Sequence, residues 1–212
     1  MIRARHHWLY QLFFDRYFRW VFYRQFRAFE GELLPPPSAA PVCWLSNHTS
    51  WWDGIWPLLL HRRINRKFHV LMLENQLKPR LFLSRLGAFS IQPGTRSMVD
   101  TGIYLRDLLE EARNCVLIYP QGQIESAGKH QIHFQPGILR YALQTGSTVQ
   151  WLFSAFFTEY GDQPKPTVYH YHHWCSFGPK TTSAELERAY QDFYDRCRAQ
   201  HEAHIHLKYR PQ

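Results

Sequence analysis

One stretch of this 212-residue chain sets residue types with acid–base chemistry at a usable spacing: Ser46-Asn47-His48-Thr49-Ser50-Trp51-Trp52-Asp53-Gly54. It follows an apolar run with the character of a buried strand and opens a helical run. Loops of that kind are where α/β proteins place reactive groups. A His and an Asp five positions apart can meet across a tight turn into a helix. The carboxylate then keeps one imidazole nitrogen protonated and leaves the other free to accept a proton, which makes a general base without a serine. The same spacing also suits a plain turn or capping pair, so His48 and Asp53 alone leave both readings open. Ser50 is a conceivable nucleophile, but a serine two residues after a histidine is not an arrangement that builds a catalytic triad.

Positioning such a pair takes a sheet and helices, and the pattern supplies both. Runs at 42–46, 68–73, 89–91, 115–119, 149–157 and 167–174 read as strands, and 52–61, 75–86, 98–113, 136–145 and 183–204 read as helices. Strand and helix in alternation predict an α/β domain, a mixed and largely parallel sheet flanked by helices. Ahead of it stands an aromatic and Arg-rich N-terminal helix. The expected organisation is an interfacial helix over residues 1–34, a stiff Pro-rich connector over 35–41 and an α/β domain over 42–212.

The first 30 residues hold six Arg against Asp15 and Glu30, with eleven aromatic residues between them, so about half of the net charge of +8 falls in this stretch. On a helix, Phe14, Phe18, Val21, Phe22 and Phe26 fall opposite Arg5, Arg16, Arg19, Arg24 and Arg27, although Leu9, Phe13 and Trp20 share the Arg side. That pattern predicts contact with an anionic lipid surface, as a peripheral or monotopic protein on the cytoplasmic face of a membrane; packing on the body of the protein or on a second copy is the other reading. No run of about 18 apolar residues predicts a spanning helix, and no signal-peptide pattern begins the chain. Cys43, Cys115, Cys175 and Cys197 are scattered, which fits reduced thiols. Nucleic acid is not an expected partner, because no recognised binding motif accompanies the charge. His170, His172 and His173, and His201, His204 and His206, lack the Cys or carboxylate spacing of a zinc site, so no metal is expected. Oligomeric state is not written in the sequence.

The order of motifs resembles the glycerol-phosphate and lysophospholipid acyltransferase family over about residues 40 to 160. Asn47-His48 with Asp53 is similar to its first block, Leu86 to Ile91 to its second, Tyr119-Pro120-Gln121-Gly122-Gln123-Ile124 to its third (usually Phe-Pro-Glu-Gly-Thr-Arg), and Phe134-Gln135-Pro136-Gly137 to the usual Phe-Lys-x-Gly. The resemblance implies transfer of a fatty acyl group from a thioester, acyl-CoA or acyl carrier protein as co-substrate and no other cofactor, to a hydroxyl or amine of a lipid-like acceptor. His48 would be the general base and Asp53 its orienter, with Asn47, Arg96, Gln121, Gly122 and Gln123 at the substrate.

Departures from the family pattern stand on the acceptor side. Gln121 replaces the usual Glu, Ile124 the usual Arg, and Pro93 the Arg that closes the second block, while Val149-Gln150-Trp151-Leu152 replaces the Pro-containing fourth block. Without a guanidinium, bidentate binding of a phosphate is lost, so a simple glycerol phosphate acceptor is not expected. Arg96 in the turn-like loop after the second block can swing into the same space or be a plain solvated loop arginine, and Gln121 has the donor and acceptor atoms for an uncharged hydroxyl. The competing class is a membrane-associated lipid-binding protein that keeps the fold without catalysis.

Overall fold

A computed structural model describes residues 1–178 and 180–209; the expected domain end at 212 lies outside these. The elements run α1 (Trp8–Gln25), β1 (Ala28–Gly31), β2 (Val42–Ser46), a 3₁₀ turn (Trp51–Gly54), α2 (Trp56–Ile64), β3 (Lys67–Leu73), α3 (Glu74–Leu77), a second 3₁₀ stretch (Lys78–Leu86), β4 (Ala88–Ile91), α4 (Ser97–Glu110), β5 (Asn114–Ile118), α5 (Ile138–Leu143), β6 (Gln150–Glu159), β7 (Thr167–Ser176) and α6 (Ser183–Lys208). The strands form one seven-stranded sheet in the order β1-β7-β6-β2-β5-β3-β4. From β6 to β4 every neighbouring pair is parallel, and β7 runs antiparallel to β6.

Strand alternation sorts the central side chains onto two faces. Cys43 and Leu45 of β2, Val116 and Ile118 of β5 and Trp151 and Phe153 of β6 pack against α4, α5 and α6. Val42, Trp44, Cys115, Leu117 and Leu152 pack against α1 and α2. Both faces being covered explains why β2 and β5 are buried at every position and read as continuous apolar runs.

The N-terminal segment differs from the expectation of a single helix over 1–34. The helix stops at Gln25, and Ala28–Gly31 adds a strand to the sheet, parallel to β7. Residue 2 meets the opposite edge, where the Ser90 N–H donates to the Ile2 carbonyl at 2.9 Å. The face assignment of the helix is also corrected. Phe22 and Phe26 are buried against Trp56, and Phe14 stacks on Phe82, so this stripe faces the protein. The solvent side carries Trp8, Phe13, Trp20 and Tyr23 among exposed Arg16, Arg24 and Arg27. No helix among the described residues is long and apolar enough to cross a membrane.

Candidate active site

The parallel strands β2 and β5 lie side by side and end together, so the loops that follow them share one edge of the sheet. Asn47 manages the exit from β2. Its Nδ2 donates to the Phe156 carbonyl at 3.0 Å and its Oδ1 accepts from the Phe156 N–H at 2.9 Å. A side-chain amide has the same donor and acceptor pair as a peptide unit. Asn47 thus continues the β2–β6 ladder with its side chain and frees the main chain to turn away one residue before His48. The expectation of Asn47 at the substrate is corrected by this geometry: the residue is fully buried with both polar atoms bound to the sheet.

The turn that follows brings His48 and Asp53 together, with Nδ1 to Oδ2 at 3.1 Å. Oδ2 also accepts from the N–H groups of Thr49 and Ser50, and Oδ1 accepts from Ser50 Oγ at 3.1 Å and Trp56 Nε1 at 3.2 Å. Asp53 is therefore both the third residue of a capping box with Ser50 and the partner of the imidazole. The two readings that the spacing left open describe one structure. With five donors around it, the carboxylate cannot rotate away from the ring. Ser50 Oγ points at Asp53 rather than at His48, so no serine nucleophile is paired with the base.

The His48 side chain is 20% exposed, and its Nε2 makes no hydrogen bond among the described residues. The Tyr119 ring stacks on it at 4.4 Å between centroids, and the Tyr119 hydroxyl donates to the Asp53 carbonyl at 2.6 Å. Burial, then the negative charge of Asp53, holds this phenol well above its usual pKa, so it stays a donor. Tyr119 to Gly122 form a turn closed by Gly122 N–H to the Tyr119 carbonyl at 3.0 Å, with Pro120 setting the entry angle. Gly122 has φ +68, and an added Cβ would lie 2.7 Å from Gln135 Cγ, so glycine is required there.

Gln121 is corrected as well. It is 1% exposed, so it does not present its amide to an acceptor. Its Oε1 accepts from the His48 N–H at 2.6 Å and its Nε2 donates to Glu125 Oε2 at 2.6 Å. Gln123 and Ile124 are exposed in the loop beyond, and their N–H groups make no hydrogen bond among the described residues. Arg96 caps α4 in the loop after β4, exposed. It forms no ion pair among the described residues. The roles of Thr49, Trp56, Tyr119, Glu125 and Lys129 are not legible in the sequence; the S-x-x-D capping signature there marks only the contact of Ser50 with Asp53.

A cleft of about 430 Å³ lined by His61, Arg62, Asn65, Arg66, Lys67 and Arg113 lies at the opposite sheet edge, where β3 and β5 begin. Among the described residues no group of three His, Cys, Asp or Glu side chains is placed to hold a metal ion.

Fold and site together define an α/β protein with a carboxylate-held histidine at the C-terminal ends of two parallel strands. A profile of the acyltransferase family matches residues 28–152, more than half of the chain, and the chain belongs to that family. No curated protein matches it in sequence. Among solved structures, the 1-acyl-sn-glycerophosphate (LPA) acyltransferase PlsC from Thermotoga maritima shares the fold, with a TM-score of 0.61 and 18% identity over 96% of this chain and 80% of that one.

Proposed function

We propose that the protein transfers a fatty acyl group from a thioester, on coenzyme A or acyl carrier protein, to a hydroxyl or amine of a lipid-like acceptor. The observation that supports this most is the unpartnered Nε2 of an imidazole whose other nitrogen is bound to Asp53. His48 Nε2 takes the proton as the acceptor oxygen or nitrogen attacks the thioester carbonyl. The tetrahedral oxyanion collapses, the C–S bond breaks, and the thiolate leaves with the proton returned by His48. A base so placed contributes about 10²- to 10⁴-fold. The free N–H groups of Gln123 and Ile124 are the candidate oxyanion donors, since the Gly122 N–H is already bound in its own turn.

The acceptor is read as a lipid without a phosphomonoester. Ile124 is 51% exposed where the family pattern has Arg, and Pro93 stands where another Arg would fall. The outward face of α1, with Trp8 68%, Phe13 62% and Tyr23 69% exposed beside Arg16 and Arg24, is assigned to an anionic bilayer on the cytoplasmic side, where rings enter the headgroup boundary and guanidinium groups meet phosphates.

The test is acyl transfer by wild type and His48→Ala on lysophosphatidate and on neutral lyso- and glycolipids, alongside vesicle sedimentation. Loss of transfer in His48→Ala with vesicle binding intact is the expected result. Equal transfer by both proteins would remove His48 from the chemistry, and turnover on lysophosphatidate far above the neutral acceptors would remove the acceptor assignment.

A further inference from the structure

His48 is gripped by its backbone as well as by its ring. Its N–H donates to Gln121 Oε1 at 2.6 Å, and its carbonyl accepts from the Glu125 N–H at 2.9 Å. Gln121 Nε2 then donates to Glu125 Oε2 at 2.6 Å, and Lys129 Nζ pairs with Glu125 Oε1. Burial pushes the Glu125 carboxyl up, but the hydrogen bonds from Gln121 and Lys129 outweigh it and leave the group below its usual range. The amide at 121 faces a donor with its oxygen and a carboxylate with its nitrogen. A carboxylate at 121 would instead meet that of Glu125 head-on.

We propose that Gln121 and Glu125 are a positioning pair for His48. The carboxylate that the family's third block carries at the position of Gln121 stands here four residues later, and the donor–acceptor match between the two side chains sets the imidazole against the acceptor. The proposal rests on His48 as the base and deepens that reading. It gives Gln121 a role in kcat through His48, with no contact to substrate. The ionisable groups around the pair are His48 and Asp53 from the loop after β2, Tyr119 from the end of β5, and Lys129 from the same loop as Glu125.

The experiment compares wild type, Gln121→Glu and the exchange variant Gln121→Glu/Glu125→Gln, measuring kcat and acceptor KM from pH 5 to 9, with melting temperatures over the same range without substrate. In Gln121→Glu the two carboxylates share one proton at low pH and keep their contact. As pH rises the pair ionises and separates, the His48 N–H loses its acceptor, and kcat falls about 10- to 100-fold with acceptor KM unchanged, the cost of a misplaced catalytic group. In the exchange variant the new carboxylate at position 121 accepts both from the His48 N–H and from the new amide at position 125. Its kcat therefore returns to within about 3-fold of wild type and the alkaline fall disappears. Melting temperatures should show the same pH-dependent penalty and rescue.

A Gln121→Glu profile parallel to wild type, an exchange variant no better than Gln121→Glu, or a rise in acceptor KM with kcat intact would each overturn the proposal. Should wild type transfer no acyl group to any acceptor, the base reading fails by itself. The melting temperatures then still decide the pair: rescue by the exchange supports it, and absence of rescue overturns it.

Discussion

The Asn47 side chain and the Phe156 peptide are joined by two opposed hydrogen bonds, at 3.0 and 2.9 Å, at the point where β2 leaves the sheet. Removing the amide leaves a buried N–H and a buried carbonyl without partners. Each such group costs about 1–3 kcal/mol. Asn47→Ala should therefore lose about 2–6 kcal/mol of stability and, because His48 follows directly, at least about 10-fold in kcat. Asn47→Asp restores one bond and sets a carboxylate against the Phe156 carbonyl, so it should be no better. Urea unfolding and steady-state kinetics check both; full activity in Asn47→Ala would show that the ladder extension does not set the loop.

Asp53 and Ser50 make opposite predictions. Asn at position 53 keeps the shape but turns an NH₂ toward groups that are themselves donors, and it no longer fixes the imidazole tautomer. Asp53→Asn should lower kcat by about 10³- to 10⁴-fold, the scale seen when a histidine loses its orienting carboxylate. Ser50 Oγ supplies one of five hydrogen bonds to that carboxylate and none to His48. Ser50→Ala should cost at most about 10-fold in kcat. Loss of all activity in Ser50→Ala, with a trapped acyl-serine in the wild type, would point to a covalent route instead.

Histidines in and beside the core should make the fold acid-sensitive. His170 Nδ1 lies 2.8 Å from His172 Nε2, and His172 Nδ1 lies 2.6 Å from Ser154 Oγ, which also accepts from Trp44. Burial, then the charge of Arg63, pulls His170 down to about 4, while burial, then His170, pulls His172 well below its usual value. His69, buried beside His6, is pulled down to about 3. Their folded pKa values lie below the unfolded value of about 6.5, so the unfolded chain binds more protons as pH falls. The stability they contribute is complete above about pH 6.5 and is lost between there and about pH 3. The melting temperature should fall steeply from pH 6.5 to 4, and His170→Asn/His172→Gln should flatten the fall; a wild-type melting temperature constant from pH 7 to 4.5 would clear these histidines of any part in acid unfolding.

How far the sequence disclosed this arrangement depended on how local each feature is. Residues 42–46 and 115–119 read as strands because both their faces are covered, and β2 and β5 lie there. The His48 and Asp53 pairing was legible because a single turn contains both. Strand β1 was not, since Ala28–Gly31 has four residues and no alternation of its own, and it exists through its pairing with β7, about 140 positions away. The resemblance places Asn47 and Gln121 at the substrate because they stand in its first and third blocks. Their burial follows from Phe156 and Glu125, partners that no spacing rule connects to them. The Phe stripe of α1 was seen correctly as a stripe, while the side that meets the protein was fixed by Trp56 and Phe82.

That corrected face gives the last prediction. Phe22 and Phe26 are 3% and 5% exposed against Trp56, so Phe22→Ala should cost about 3–5 kcal/mol of stability, as large aromatic truncations in cores do. Trp8, Phe13, Trp20 and Tyr23 point to solvent and support no core. Replacing all four by Ser should move the melting temperature by no more than about 4–8 °C, since surface substitutions of this kind stay near ±0.5 kcal/mol each. Vesicle binding should respond the other way. Four rings withdrawn from a headgroup boundary remove several hundred Å² of apolar contact at about 25 cal/mol per Å², enough for a loss of affinity of at least about 100-fold. Replacing Arg16, Arg24 and Arg27 by Gln should weaken binding to anionic vesicles, most at low salt, and leave neutral vesicles unaffected. Sedimentation with vesicles of phosphatidylcholine alone and with about 30% phosphatidylglycerol separates the two contributions. Undiminished binding by the four-Ser variant would assign the membrane contact to another face.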